Sequence, residues 1–204
     1  VWAERRHLQR VFEIGQAFER EFGAGSIGTR VFPVYASWSI MPDRFNETLQ
    51  WFEAWKGAGS APKYLTHVAS TSYFGYNDTK NLPPKATVSQ IVAGFLNSST
   101  HVPQDLQQID AVAKAFGLKH ASYEGSMGYR VGDETDVGNV IEAVRAPEAT
   151  EIIKNWFTNY GKFYDVLHQF SFSGMYSQYG QWGATDLLED LTTPKWKGFT
   201  TCAL

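Results

Sequence analysis

Glu124 ends the short β-prone run Lys119-His120-Ala121-Ser122-Tyr123-Glu124, and Gly125 and Ser126 follow it at once. An acid at the carboxyl end of a parallel strand stands where α/β enzymes hold catalytic groups. A charge kept in an otherwise interior strand is unfavourable unless something pairs it, so function is the commoner reason to find one there. The plainer alternative is a brace, with Glu124 accepting hydrogen bonds from Tyr73, His67 or a backbone amide. Retaining glycoside hydrolysis uses two carboxyls about 5 to 5.5 Å apart, a nucleophile and an acid/base, around an oxocarbenium-like transition state. No second acid of this chain falls at a predicted strand end. Asp43, Asp78, Asp133, Glu134, Asp136 and Asp186 lie in loops or at helix starts, where capping accounts for an acid.

Aromatic residues at strand ends are the second group that a binding cleft there would use. Trp38, Tyr73, Tyr129, Phe172, Tyr176 and Trp182 stand at strand ends or in the loops after them. Their rings are suited to stack on apolar sugar faces, or else they pack beneath the loops. Trp51, Phe52, Trp55, Trp156 and Phe157 have helical spacing and read as core. His67 and His168 lie inside predicted strands, where a satisfied core histidine is the commoner outcome and an approach to Glu124 the alternative, whereas His7, His101 and His120 lack metal-ligand spacing. Asp133-Glu134-x-Asp136 lacks the spacing of a calcium loop, so no metal is expected. Gly125-Ser126-x-Gly128 is only a fragment of a nucleotide fingerprint, and no Gly-x-Ser-x-Gly elbow occurs. No cofactor is expected.

The elements that must position these groups follow from periodicity. Leu8, Val11, Phe12, Gly15, Phe18 and Phe22 mark one face of a helix over residues 2–22, stopped at Gly23-Ala24-Gly25. A strand is predicted within 29–38, then a helix with Phe45, Leu49, Phe52 and Trp55 on its apolar face. A second strand is predicted over 64–75, with helices at 88–97 and 104–117. The third runs from Leu118 to Glu124, with helices near 139–145 and 147–161. The fourth covers 165–173, and a terminal helix lies near 186–191 or 194–200. Strands that alternate with helices predict a parallel α/β array in one domain spanning 1–204.

Tyr123-Glu124-Gly125-Ser126, with Ser171-Phe172-Ser173 and Tyr179-Gly180-Gln181-Trp182-Gly183-Ala184, resembles the carboxyl-terminal half of a (β/α)8-barrel (TIM-barrel) glycoside hydrolase-like family. The resemblance implies that the chain supplies strands 5 to 8 with their helices, and that Glu124 matches the nucleophile of a retaining enzyme. It further implies an oligo- or polysaccharide partner. The acid/base, borne by an Asn-Glu motif at the end of strand 4, would precede Val1, in a missing half that must complete the barrel. Ser126 stands where relatives carry glycine, which puts the geometry beyond the nucleophile in doubt. Two rivals remain: an extracellular structural or glycan-binding glycoprotein without turnover, and an unrelated four-stranded α/β domain with a solitary buried Glu.

The 204 residues are fewer than the roughly 250 of a complete barrel. A net charge of −3, with no dense basic run, argues against nucleic-acid or anionic-membrane partners. No stretch approaches the roughly 18 to 20 apolar residues of a membrane helix. Three of the seven asparagines, Asn46, Asn77 and Asn97, stand in glycosylation sequons, where composition predicts about one. A secreted, extracellular glycoprotein is the expectation. Cys202 is the lone cysteine, either a free thiol or the partner of a cysteine in another chain.

Overall fold

The computed structural model describes residues 1–129 and 131–202. Its contacts group the chain into two compact units. The first comprises Val1–Thr71, Pro103–Tyr123 and Phe163–Val166, and the second Ser72–Val102, Glu124–Lys162 and Leu167–Leu204.

In the first unit, α1 (Trp2–Phe22) ends at Gly23, whose φ of 95° suits a residue without Cβ. Strand β1 (Val34–Ala36) leads into α2 (Pro42–Lys56), which opens on a proline that costs no internal hydrogen bond there. A short α3 (Ala61–Tyr64) precedes β2 (His67–Thr71). The helix α6 (Gln104–Ala115) runs into β3 (Lys119–Glu124), whose last residue is counted in the second unit. The sheet order is β1-β2-β3, and the β1–β2 pair is parallel with Val34 opposite His67. Leu8, Tyr35, Phe45, Phe52, Val68 and Ile109 are buried in this unit's core. Phe12 sets its ring edge-on to Phe52, Trp55 and Tyr64, and the Lys56 ammonium lies 3.9 Å from the Phe12 ring centre.

A polar layer also runs through this unit. Ser70 Oγ lies 2.8 Å from His120 Nε2 and 3.2 Å from the Tyr164 hydroxyl, and all three residues are buried. Burial lowers the His120 pKa from 6.5 to about 4; the Phe163 carbonyl works against this and the Lys114 charge adds to it. At the other ends of the strands, His67 Nε2 and Lys119 Nζ both meet Asp165, at 3.0 Å each. Those two partners hold the Asp165 carboxyl below its ordinary value.

The second unit is mainly helical. It holds α4 (Tyr76–Thr79), α5 (Val88–Thr100), α7 (Val137–Arg145), α8 (Ala149–Tyr160) and α9 (Pro194–Cys202). A reciprocal capping box starts α5: Thr87 Oγ1 accepts from the Gln90 N–H while Gln90 Oε1 accepts from the Thr87 N–H. Asp136 caps α7 through the Asn139 N–H. Trp156, Phe95, Ile91, Ile153 and Tyr160 are fully or almost fully buried, and Trp156 Nε1 donates to the Ser72 carbonyl at 3.1 Å. Gly198 lets α9 approach α8, since a Cβ there would sit 2.7 Å from Ile153 Cβ and 2.9 Å from the Thr150 carbonyl.

The expected half (β/α)8 barrel with strands 5 to 8 is overturned. The described residues form one small parallel-type sheet of three strands, three to six residues long, in a largely helical α/β chain. The first predicted strand is shortened because the amides of Thr29, Arg30 and Val31 turn back onto the Ser26 carbonyl, and Pro33 lacks an N–H. The fourth, 165–173, forms no strand. It keeps an isolated parallel bridge from Val166 to Ala121 and another from Ser173 to Thr185. The reason lies in Gln169, whose Nε2 donates to the carbonyls of Phe170, Ser171 and Trp182, so that a side chain takes acceptors a ladder would use. The helices at 88–97, 104–117, 139–145 and 147–161 form close to their predicted bounds, and the terminal helix takes the later of its two predicted positions.

Candidate functional site at the end of strand β3

Glu124 closes β3 and is half-buried. Its own carbonyl accepts the Ser72 N–H at 2.8 Å, and two residues on the Ser126 carbonyl accepts the Phe74 N–H at 3.2 Å. The Gly125 carbonyl accepts the Phe170 N–H at 2.7 Å. Segments 72–74, 124–126 and 169–171 are thus laced side by side within the second unit. Gly125 is required by this lacing: a Cβ there would be driven into Ser72 Oγ and come within 2.9 Å of the Ser72 carbonyl carbon. The glycine after the acid therefore serves close backbone approach.

Three half-buried aromatic residues belong to the same construction. Tyr73 follows Ser72, and its ring meets that of Tyr76 at 6.3 Å, near edge-on. The Tyr76 hydroxyl accepts the Trp182 indole N–H at 3.0 Å and so keeps its own proton to donate elsewhere. Burial raises the Tyr76 phenol, and the Trp182 hydrogen bond works against this. The Trp182 carbonyl accepts from Ser126 Oγ at 2.7 Å, from Gln169 Nε2 at 2.5 Å and from Lys195 Nζ at 3.3 Å. A closed circuit of contacts results, from Glu124 through Ser72, Tyr73, Tyr76 and Trp182 back to Ser126. Beneath it lies Lys195, fully buried, with Nζ 2.8 Å from the Gln181 carbonyl and 5.1 Å from the Tyr176 ring centre. Desolvation lowers its pKa to about 7, opposed by the Asp186 charge.

The other predicted residues fall elsewhere. Tyr176 is buried, with its hydroxyl donated to the Gly183 carbonyl. Tyr129 is buried edge-on to Phe95. Phe172 is exposed and edge-on to Trp196. Trp38 belongs to the first unit, at the end of β1. His67 is a satisfied core histidine, the commoner of the two expectations: it is buried, its Nδ1 meets Thr66 Oγ1 and its Nε2 meets Asp165. Among the described residues no group of three or more His, Cys, Asp and Glu is placed to hold a metal ion. Several carboxylates of the second unit have partners of their own: Asp186 pairs with Arg145, Asp78 accepts from Asn97, and Asp190 accepts from Thr192.

Each sequon lies in a helix. Asn77 and Asn97 are exposed and Asn46 is half-buried, while the hydroxyl residues two positions on, Thr79, Ser99 and Thr48, are buried. Thr79 Oγ1 donates to the Gly75 carbonyl and Ser99 Oγ to the Leu96 carbonyl. No helix among the described residues is long and apolar enough to cross a membrane.

Sequence reasoning missed Tyr76 and Gln169, and it marked Ser126 only as a departure from glycine. Tyr76 had a signal, three residues beyond Tyr73 and after a glycine. Gln169 had none, because a strand was expected there and its amide acts on residues up to 43 positions away. Compared with family models, with curated proteins and with solved structures, the chain matches none.

Proposed function

We propose that this chain is a carbohydrate-binding α/β protein, with Glu124 as the polar anchor and Tyr73, Tyr76 and Trp182 as the aromatic walls. The observation that carries the reading is the closed circuit of contacts that joins the backbone at half-buried Glu124 to three half-buried aromatic residues. A carboxylate accepts two hydroxyls of a sugar, and phenol and indole faces cover its apolar side, the usual division of labour in a small-molecule site. The three sequons, with Asn77 and Asn97 on the surface, support a secreted glycoprotein as its setting.

Binding is preferred to turnover because retaining hydrolysis requires a second carboxyl about 5 to 5.5 Å from the first. Asp186, Asp78 and Asp190 are held by other partners. The hydrolase reading, with Glu124 as nucleophile, rests on its place at a strand's carboxyl end before a glycine that only close packing explains.

Titration calorimetry with cellohexaose, xylohexaose, chitohexaose and mannohexaose tests the proposal. At least one is expected to bind, with Trp182→Ala and Glu124→Gln each weakening it tenfold or more. Heat-silent titrations at millimolar sugar would refute it. Release of nitrophenol from aryl glycosides, abolished by Glu124→Gln, would replace binding by the hydrolase reading.

A further inference from the structure

A second polar cleft lies wholly within the first unit. Glu4, His7, Ala36, Ser37, Trp38 and Tyr123 line a space of about 280 Å³ at the carboxyl ends of β1 and β3. Glu4 sits in the first turn of α1, where the helix dipole favours an acid, but its side chain does not simply face water. Only 17% exposed, it accepts the Tyr35 hydroxyl on Oε2 at 2.8 Å and the Ser37 hydroxyl on Oε1 at 3.0 Å. An ionised carboxylate has about four acceptor positions, so two of them remain after both hydrogen bonds. Tyr35 stays a donor at any ordinary pH, since burial raises its phenol and the bond to Glu4 adds to the rise. The carboxylate is therefore held at a fixed orientation before any ligand arrives.

Beside it stand two exposed rings. Trp38 is 65% exposed and Tyr123 42% exposed, so both ring surfaces reach solvent at the cleft. A preorganised acceptor between exposed rings suits two ligand classes, an organic cation or a neutral polyol ring. Arg44 decides between them, because its Nη1 lies 4.0 Å from Glu4 Oε1 and already counters the charge. A second cation would enter against that guanidinium, whereas a hydroxylated ring donates to the carboxylate without opposing it. The volume is below the roughly 300 to 1,000 Å³ of drug-sized sites and fits one ring.

We propose that the Glu4–Trp38–Tyr123 cleft is a binding site for a single neutral pyranose unit, with Glu4 accepting its hydroxyls and the two rings covering its faces. The inference shares its ligand class with the Glu124 reading but uses a separate set of residues, so either can fail alone.

Protein labelled with 5-fluorotryptophan separates the two. Trp38→Phe and Trp182→Phe identify their fluorine resonances, and methyl β-D-glucopyranoside, methyl α-D-mannopyranoside, N-acetylglucosamine and tetramethylammonium are the probes. At least one pyranoside is expected to move the Trp38 signal saturably, and Glu4→Gln to weaken that response about tenfold. Trp38 is exposed and Glu4→Gln keeps the shape, so both variants should fold, which the remaining fluorine signals would verify. Tetramethylammonium moving Trp38 while no pyranoside does, a response unchanged in Glu4→Gln, or no response at 50 mM probe each overturns the site. Movement of the Trp182 signal alone sinks this inference and leaves the Glu124 reading standing; movement of Trp38 alone supports this site, and the hexaose titrations decide the Glu124 reading separately.

Discussion

Replacing Lys195 by methionine should stabilise the protein near neutral pH and destabilise it in alkali. Lys195 is fully buried, and its pKa falls from an ordinary lysine's 10.5 to about 7. Unfolding returns the amine to water, where it binds a proton over the whole interval between those values. The unfolded state thus holds more protons between about pH 7 and 10.5, and stability from this group rises with pH there. At about 1.4 kcal/mol per pH unit, the desolvation penalty is about 5 kcal/mol below pH 7 and zero above 10.5. Methionine fills similar space without a charge, which removes the penalty. It also removes the donor to the Gln181 carbonyl, at a cost of about 1–3 kcal/mol, while the Trp182 carbonyl keeps Ser126 and Gln169. The net expectation is a gain of about 2–4 kcal/mol at pH 6.5, a crossing near pH 9, and a loss of about 1–3 kcal/mol above 10.5. Guanidinium unfolding of both proteins at pH 6.5, 8, 9 and 10.5 reads the difference directly, other titrating groups cancelling. Parallel stability curves, or a variant less stable at pH 6.5, would refute the reasoning.

Other perturbations follow from named contacts. Gly125→Ala should cost about 3 kcal/mol or more in denaturant unfolding, because its Cβ overlaps Ser72, where backbone as well as side chain must shift. His120 remains neutral in the fold until about pH 4, while the unfolded chain protonates near 6.5. Its stabilising contribution is therefore intact above 6.5 and lost as pH falls to 4, up to about 3 kcal/mol, so His120→Gln should flatten the acid limb of an unfolding-versus-pH series. Thr87→Ala removes one half of the α5 capping box and should lower stability by about 1 kcal/mol, seen as a lower melting temperature with unchanged far-ultraviolet dichroism. Trp156→Ala should cost about 3–5 kcal/mol, since it empties a fully buried site and strips the donor from the Ser72 carbonyl.

The helices were legible because their signals are local. Residues 2–22 carry an apolar stripe every three or four positions, and Thr87 with Gln90 spells a helix start. The strands were harder, since β-rich runs at 29–38 and 165–173 look alike in composition to one that pairs. What shortened the first and kept the second from forming was specific: the Ser26 carbonyl capturing three amides in one case, and the Gln169 amide occupying carbonyls in the other. Neither partner choice is encoded in periodicity. Glu124 was visible as a strand-end acid, but Glu4 was not, because an acid in a helix's first turn already has a sufficient explanation. Its true partners, Tyr35 and Ser37, lie 31 and 33 residues away.

The sequons carry a consequence for the order of events in the protein's synthesis. A transferring enzyme must engage an asparagine together with the hydroxyl two residues on, and in the folded chain Thr48, Thr79 and Ser99 are all turned inside helices. Any sugar on Asn46, Asn77 or Asn97 has to be attached while those segments are still extended. Glycosylation of this chain would then be a record of its nascent state, and protein refolded from an unmodified source would stay unmodified however long it met the enzyme.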